Sequence, residues 1–330
     1  MKICIYGLGA IGGAIGARLA LAGYAVSAVA RGATLQAVRA RGLTLESGAA
    51  DALARNTVTI QASDEPAALG VQDVVVIAVK TTGLADVARR IAPLLGPQTT
   101  VLSAMNGVPW WFFHGLPGAP AGMRLESVDA GGAISRAIAP GCVVGSVTHM
   151  SAAVREPGVV RLIAGNGIIL GEPDGGSSER LQAIARALGE AGFDVTLSDC
   201  IQRDIWFKLW GNMTMNPVSA ITGATADRIL DDVDVRNFMS NAMVEAAAIG
   251  ARIGLPIDAD PEERHAVTRK LGAFRTSMLQ DAEAGRALEL DALVGSVVEI
   301  GRQVQVPTPW INALAGLARL QAQVRGLYPS

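Results

Sequence analysis

A predicted helix near the middle of the chain carries three polar side chains on one face. Lys208, Asn212 and Asn216 are spaced at i, i+4 and i+8, and at about 3.6 residues per turn this spacing aligns them in one narrow stripe. The residues around them are mostly apolar, and a lysine is seldom fully buried without a partner. The stripe must therefore face either solvent or a ligand, and for an isolated helix a solvated face is the commoner case.

The lysine of this stripe suits proton transfer. Its ammonium is a compact charge whose pKa falls readily on partial burial, and the two amides beside it are neutral hydrogen-bonding groups. No spacing typical of a metal site or of a Ser-His-Asp nucleophile system connects the three histidines, His114, His149 and His265. A nicotinamide cofactor would then have to carry the chemistry, while the protein positions a carbonyl, polarises its oxygen and supplies a proton.

A glycine-rich turn near the N-terminus indicates where such a cofactor would bind. The apolar, strand-like run Lys2–Tyr6 leads directly into Gly7-Leu8-Gly9-Ala10-Ile11-Gly12, and a helical pattern and a second strand follow. In a Rossmann fold the first glycine permits the turn, the second lets a pyrophosphate approach the backbone, and the third allows close helix–strand packing. The order strand, turn, helix, strand makes this motif specific for dinucleotide binding.

The end of the second predicted strand distinguishes NADP from NAD. NAD-binding Rossmann domains place a carboxylate there for the ribose 2′-hydroxyl. This chain instead has Ala30-Arg31-Gly32, and the planar, permanently charged fork of arginine suits a 2′-phosphate. We therefore expect NADP (NADPH) as the cofactor; the alternative is that Arg31 is an ordinary surface residue of a loop.

Two further polar residues follow predicted strands of the first half. Lys80 comes at the end of the β-branched run 73–79, and Asn106 follows the strand-like run 99–103. Ligands of open α/β sheets bind at the carboxyl ends of the strands, so both residues are candidates for contacting a ligand. Asn106-Gly107 also has the composition of an ordinary turn, and that alternative stays open.

The order of elements predicts an α/β fold in two domains. A Rossmann-type dinucleotide-binding domain, residues 1–198, precedes an all-helical domain, residues 199–330. In the first domain we expect short strands within residues 36–62, and antiparallel edge strands around a turn at Pro157-Gly158. Pro217 should kink or break the first helix of the second domain. The helices of that domain are expected near residues 200–222, 233–252, 260–271, 286–305 and 309–324.

Composition limits the partners and the compartment. The 330 residues carry 28 basic and 30 acidic side chains, a formal charge of −2, without a long run of like charge that would favour nucleic acid or an anionic membrane. No apolar stretch is long enough to span a bilayer. The cysteines are widely spaced and odd in number, so neither a metal site nor a disulfide framework is expected, and a reducing cytoplasm is the expected location: Cys4, Cys142 and Cys200.

Together these motifs resemble the ketopantoate reductase (2-dehydropantoate 2-reductase) family over almost the whole chain. The resemblance rests on the glycine turn, on Lys80-Thr81 and Asn106-Gly107, and on the lysine–asparagine stripe. It also includes two segments of the second half, Ser277–Asp281 (SMLQD) and Glu289–Asp291 (ELD). From the residues alone, complementing a helix dipole accounts well for Asp291 but only partly for Glu289.

The resemblance implies a Rossmann domain and a helical domain with the active site between them. It further implies the NADPH-dependent reduction of 2-dehydropantoate to (R)-pantoate, a step towards pantothenate and coenzyme A. Lys208 would be the general acid, and Glu289 would meet the cofactor and help to position the lysine. The implied substrate-binding residues are Lys208, Asn212, Asn216, Ser277 and Asn106. The implied cofactor-binding residues are Gly7, Leu8, Gly9, Ala10, Ile11, Gly12, Arg31, Lys80, Asn106 and Glu289.

Two departures from the family pattern bear on the substrate. Ala226 stands where biosynthetic members often have a further substrate-binding asparagine, and Met105 replaces the usual glutamine before Asn106. The aromatic run Trp110–Phe113 (WWFF) follows closely and could be either core or a wall of the substrate site. These departures leave open a paralogue that reduces another branched 2-keto acid with NADPH.

Two functions of other kinds are compatible with parts of the sequence. A non-catalytic NADP(H)-sensing protein would keep the Rossmann site, and its Lys208 stripe would be structural. An opine-type or 3-hydroxyacid dehydrogenase would need a histidine base in the second domain, and His265 lies in no matching motif. The expected partner is a small 2-keto acid, and apolar helices such as residues 286–305 could also form a homodimer interface.

Overall fold

The computed structural model describes residues 1–48 and 52–329. Residues 49–51, which belong to the predicted excursion 36–62, lie outside this described part.

The chain divides into two compact units. The first comprises Met1–Met105 and Gly132–Asp204, and the second comprises Asn106–Gly131 and Ile205–Ser330. The sequence predicts one boundary, near residue 198. The structure also groups the segment 106–131 with the second unit, a feature that no local pattern in the sequence indicates.

The first unit is built on one mixed sheet. In the described residues this sheet has ten strands: β1 (Lys2–Tyr6), β2 (Ala25–Val29), β3 (Leu43–Ser47), β4 (Ala54–Val58), β5 (Gln61–Ser63), β6 (Val74–Ile77), β7 (Thr100–Ser103), β8 (Val143–Glu156), β9 (Val159–Gly171) and β10 (Asp194–Leu197). Their order is β4-β3-β9-β8-β7-β6-β1-β2-β5, and β10 pairs with β9. The unit also contains the helices α1 (Ala10–Leu21), α2 (Gly32–Arg41), α3 (Leu84–Arg90), α4 (Ala133–Ala137) and α5 (Glu179–Glu190).

The strands around β1 form the Rossmann core that the sequence predicts. β1 lies between β2 and β6, and β6 pairs with β7, all in parallel register. All four residues of β6 are buried, which a strand covered on both faces requires. Parallel strands end at a common edge, so the residues that follow β1, β2 and β6 are brought to the same side of the sheet. The expected Rossmann-type fold is confirmed.

A long hairpin extends the sheet beyond β7. β8 and β9 pair in antiparallel register across the predicted turn at Pro157-Gly158, where Gly158 has a φ of +81°. The prediction that these are edge strands was wrong. β8 pairs with β7 on its other side, while β9 pairs with β3 near its start and with β10 near its end. The excursion after α2 thus supplies the outer strands, a long-range pairing that local patterns do not reveal.

The second half of the chain is helical in its described residues, as predicted. Its helices are α6 (Ile201–Thr222), α7 (Ala226–Asp231), α8 (Val233–Arg252), α9 (Pro261–Arg269), α10 (Ser277–Glu283), α11 (Ser296–Gln303) and α12 (Pro309–Val324).

Two details of these helices differ from expectation. Pro217 does not break α6, which continues to Thr222. Proline removes one backbone hydrogen bond, but the helix is buried on both sides of it, at Met213 and Val218. Of the predicted kink or break, the break is therefore wrong. The predicted helix 286–305 is also shorter, because a π-helical turn at Asp291–Gly295 precedes α11.

Gly12→Ala should destabilise the protein by about 2–3 kcal/mol. A Cβ at this position would collide with the backbone oxygen of Gly7 and come within 2.9 Å of the Ala78 Cβ, and a backbone oxygen cannot rotate away. Urea unfolding followed by circular dichroism measures the loss. Gly9→Ala is the matched control: its Cβ would meet no atom within 4 Å, so the change should stay below about 1 kcal/mol. Equal losses in the two variants would contradict the packing role of Gly12.

Candidate active site

The turn between β1 and α1 needs glycine for steric reasons at its first and last positions. Gly7 has a φ of +104°, and a Cβ there would lie 2.7 Å from the Val79 Cγ1. Its N–H donates to the Val29 carbonyl oxygen at 3.0 Å, which ties the turn to the end of β2. Gly12 packs against the Gly7 carbonyl and Ile5. The roles expected for the first and third glycines are thus visible as close contacts.

The middle glycine faces open space at the start of α1. Gly9 is exposed, and no atom lies within 4 Å of a Cβ built on it. The first turn of α1 carries no acidic side chain. An accessible helix N-terminus without a nearby carboxylate favours a phosphate group, so this turn fits a dinucleotide pyrophosphate. Of the remaining motif residues, Leu8 is buried, and Ala10 and Ile11 are half-buried.

Arg31 follows β2 at the same edge of the sheet. Its guanidinium is more than half exposed and forms an ion pair with Asp86, in the first turn of α3. Asp86 also accepts a hydrogen bond from Arg89 at 3.0 Å. The hydrogen bond with Arg31 is the main cause that holds the pKa of Asp86 below its usual range. No local pattern indicates Asp86 as a partner, because 55 residues separate it from Arg31.

Lys80 follows β6 at this edge. Its Nζ atom is buried, and its carbonyl oxygen accepts a hydrogen bond from the Gly83 N–H at 2.8 Å, closing a short 3-10 turn. The structure therefore brings three of the predicted cofactor-binding positions, the glycine turn, Arg31 and Lys80, to the carboxyl ends of neighbouring parallel strands of the first unit.

In the second unit, Lys208 of α6 contacts Asn106 directly. Its Nζ donates a hydrogen bond to the Asn106 Oδ1 at 2.9 Å. The residues after Asn106 are fixed on the π-helical turn: Gly107 has a φ of +82° and packs against Ala292, and the Val108 N–H donates to the Ala292 carbonyl at 2.9 Å. Two predicted site residues that are 102 positions apart in the chain are therefore joined.

The surroundings of Lys208 favour its neutral form. The residue retains part of its solvent exposure, yet desolvation of the ammonium lowers its pKa from 10.5 to about 8. The positive charge of Arg264 lowers it further as the smaller cause. Asn106 is a neutral partner and supplies no opposing charge that would restore the ordinary value. A lysine of this kind can give up a proton and recover it near neutral pH.

The two asparagines of the stripe lie next along α6. Asn216 is buried, with 6% of its surface exposed, and Asn212 is half-buried. Within residues 1–48 and 52–329, neither side-chain amide hydrogen-bonds to another protein group. The Ser219 hydroxyl donates to the backbone carbonyl oxygen of Asn216 at 2.8 Å and leaves its side chain unengaged. Both amides can therefore hydrogen-bond to a ligand.

The other two predicted site residues of this unit lie outside α6. Ser277 is the first residue of α10, is exposed, and does not hydrogen-bond to the stripe in the described part of the chain. Glu289 is half-buried and lies just before the π-helical turn that supports Asn106.

Sequence inspection missed Arg264 of α9. The ring of Phe207 lies 6.0 Å from its guanidinium carbon, and a Cβ on Gly211 would approach its Nε within 2.9 Å. An arginine in a helix that is otherwise rich in charge carries no distinguishing pattern, so its position beside α6 was accessible only from the fold.

Of the positions that depart from the family pattern, Ala226 lies in the core and Met105 is half-buried. Ala226 is fully buried in a cluster with Met215 and Ile229. Trp110, Trp111 and Phe112 are also buried, which favours the core alternative for them, and Phe113 is half-buried.

The described residues contain neither a metal cluster nor a membrane span. No group of three or more His, Cys, Asp or Glu side chains there could hold a metal ion. The three cysteines are free. None of the helices in that part of the chain has the length and apolarity needed to cross a membrane.

Comparison with known proteins agrees with this geometry. The family model "Ketopantoate reductase PanE/ApbA" matches residues 3–110, and "Ketopantoate reductase PanE/ApbA C terminal" matches residues 200–322. The chain is 44% identical to the 2-dehydropantoate 2-reductase of Mesorhizobium japonicum, over 99% of this chain and 100% of that protein.

Solved structures give the same result. A candidate ketopantoate reductase from Ralstonia solanacearum is 56% identical and superposes with a TM-score of 0.94 over 99% of both chains. A dimeric ketopantoate reductase from Staphylococcus aureus shares the fold at 18% identity, with a TM-score of 0.73 over 99% of this chain and all of that one. The Rossmann turn, the lysine–asparagine stripe and these full-length matches establish that the chain belongs to the ketopantoate reductase family.

Proposed function

We propose that this protein reduces 2-dehydropantoate to (R)-pantoate with NADPH, in the biosynthesis of pantothenate and coenzyme A. The observation that carries the proposal is the Lys208 ammonium, whose pKa is lowered to about 8. Two side-chain amides follow it on α6, and neither has a hydrogen-bond partner among the described residues. The similarity to a 2-dehydropantoate 2-reductase over the full chain supports this substrate over other 2-keto acids.

In the proposed mechanism, Lys208 is the general acid. NADPH supplies the hydride when bound. The ammonium donates a hydrogen bond to the ketone oxygen, stabilises the negative charge that develops there, and transfers a proton to it. The neutral amine then recovers a proton from solvent. Asn106 holds the Nζ at 2.9 Å without adding charge, so it orients the acid and leaves its pKa low.

The first unit provides the proposed NADPH site. The backbone from Gly7 to Gly12 would hold the pyrophosphate, a role supported by the open space at Gly9. Arg31 would bind the 2′-phosphate in place of Asp86, its present partner. Lys80 at the neighbouring strand end would contact the cofactor, as would Asn106 and Glu289 of the second unit.

The second unit provides the proposed substrate site. Asn212 and Asn216 would hold the substrate's polar groups, with Ser277 and Asn106 as further contacts and Glu289 as a residue that helps to position Lys208. Ala226 is fully buried in the core and would contribute nothing. Because Ala226 replaces a substrate-binding asparagine that family members often have, a second candidate function is the reduction of another branched 2-keto acid.

Steady-state kinetics test the substrate and the role of Lys208. We expect NADPH oxidation with 2-dehydropantoate to exceed that with close 2-keto acid analogues, and NADPH to be preferred over NADH. Lys208→Met should reduce kcat by at least about 10³-fold, because it removes the proton donor, while NADPH binding followed by fluorescence is kept. If the protein reduces an analogue faster than 2-dehydropantoate, it is the paralogous reductase of another branched 2-keto acid. Absence of any NADPH oxidation would favour a sensing protein.

The pH dependence tests the acid itself. A donor with a pKa of about 8 is protonated below that pH, so kcat/KM for reduction should be level in acid and fall tenfold per unit above it. Asn106→Asp places a carboxylate beside the ammonium and should shift this falling limb upward by about 1 unit or more, whereas Asn106→Ser should not. A limb at the same pH in both variants would show that another group controls the rate.

We also propose that the protein is a cytoplasmic homodimer. The free state of Cys4, Cys142 and Cys200 supports a reducing compartment. The dimeric relative from Staphylococcus aureus supports the assembly. The surface of α12 offers an apolar stripe for a second copy, since four large side chains fall on one helical face with exposures of 43–81%: Trp310, Leu317, Leu320 and Val324.

Analytical ultracentrifugation tests this interface. The native protein should sediment as a dimer, and Leu317→Glu combined with Leu320→Glu should convert it to a monomer, because four charges would then be buried at a two-fold contact. Val71→Glu is the control, since Val71 is equally exposed but lies in the first unit. A dimer that survives the double substitution would place the interface elsewhere.

A further inference from the structure

Arg264 occupies an unusual position beside the catalytic stripe. It projects from α9, and its guanidinium lies against α6 next to Phe207 and Gly211. The guanidinium carbon is 6.0 Å from the centre of the Phe207 ring. A Cβ built on Gly211 would lie 2.9 Å from the Arg264 Nε and 3.1 Å from its Nη2. Residues 208, 211 and 212 fall within one face of a helix. The guanidinium therefore borders the stripe on the side of Gly211, and the absence of a side chain on Gly211 makes room for it.

This guanidinium has no counter-charge among the residues that the structure describes. Its Nε atom is buried and makes no hydrogen bond, and no carboxylate in residues 1–48 or 52–329 forms an ion pair with Arg264. By contrast, Arg269 on the same helix pairs with Asp231. A partly buried arginine normally acquires an anionic partner, because desolvating a guanidinium without one is costly. Burial accordingly lowers the pKa of Arg264.

The position relative to Lys208 identifies the kind of anion. Arg264 is close enough for its charge to lower the pKa of Lys208, so two cationic groups act on the same small region. In a 2-keto acid, the carboxylate is bonded directly to the carbonyl carbon. A 2-keto acid whose carboxylate binds Arg264 would thus place its ketone beside Lys208, the proposed proton donor. The planar guanidinium fork matches a carboxylate through two parallel hydrogen bonds, which also fixes orientation.

We propose that Arg264 binds the carboxylate of the 2-keto acid substrate and sets the orientation of its ketone towards Lys208. This assignment rests on the proposed function and makes it more specific. It gives the carboxylate to an arginine on α9 and leaves the amides of Asn212 and Asn216 for the neutral groups of the substrate.

The kinetic test removes the charge and keeps the shape. Arg264→Met should raise KM for 2-dehydropantoate about 100-fold, in line with the loss of a charge-assisted bidentate contact. The same variant should change kcat/KM for ketopantoyl lactone, which has no carboxylate, by less than threefold, and NADPH binding should be unchanged. Arg264→Lys should recover part of the loss. Arg269→Met, which removes a paired arginine from the same helix, is the control and should match the native enzyme.

A second variant tests the geometry and leaves the charge in place. Gly211→Ala puts a methyl group where the guanidinium packs, so KM for the keto acid should rise about tenfold as the fork is displaced. Circular dichroism establishes that each variant is folded. Equal losses on the carboxylate and the lactone in Arg264→Met would overturn the proposal, because a structural role affects both substrates alike.

A binding measurement separates this inference from the proposed function. Calorimetric titration of the NADP⁺-loaded protein with pantoate requires no turnover. Native protein should bind pantoate, Arg264→Met should bind it at least 30-fold more weakly, and Arg269→Met should bind it normally. If native protein binds pantoate but reduces no keto acid, the proposed activity fails and the Arg264 site stands. Equal binding by native protein and Arg264→Met, or no binding by native protein, overturns the Arg264 site.

Discussion

The desolvated ammonium of Lys208 is the constraint on which the second unit depends. Desolvation of the ammonium, with the charge of Arg264 as the smaller cause, lowers the pKa of this lysine to about 8. Trp206, Leu209 and Trp210 are buried on the faces of α6 away from the stripe and fix the helix in the core of the unit. The Nζ donates a hydrogen bond to an amide oxygen, the Asn106 Oδ1, at 2.9 Å. A carboxylate in that place would hold the lysine permanently charged and reduce its value as a proton donor.

The π-helical turn at Asp291–Gly295 follows from the need to hold Asn106. In this turn the Ser296 N–H bonds to the Asp291 carbonyl, one residue further back than in an α-helix. The Ala292 carbonyl is thereby released and accepts the Val108 N–H at 2.9 Å and the Ser296 hydroxyl at 2.9 Å. The local departure from α-helical geometry therefore creates an acceptor for the segment 106–131, which has few regular elements of its own and belongs to the same unit.

The parallel core, the glycine turn and α6 are predictable from the sequence, because each depends on a pattern among residues that are close together in the chain. The contact between Lys208 and Asn106 was foreseeable only through family resemblance, since 102 residues separate them. Partners set by tertiary packing escaped prediction: Asp86 for Arg31, and Gly211 for Arg264. The outer position of β3 and β4 escaped it for the same reason. An antiparallel hairpin gives no local sign of whether further strands will pair with it.

At the proposed cofactor site, a 2′-phosphate would have to exchange with the Asp86 carboxylate as the partner of Arg31. This carboxylate already neutralises Arg31 and also accepts a hydrogen bond from Arg89 at 3.0 Å. A 2′-phosphate would have to displace one anion from these cations to take their hydrogen bonds, whereas a ribose hydroxyl could leave the existing ion pair intact. Cofactor discrimination in the proposed site is then a difference between two competing anions, and its size depends on how strongly α3 retains Asp86. Asp86, which lies outside the nucleotide-binding motif, would in this way influence whether the enzyme is supplied by the cell's NADPH or by its NADH.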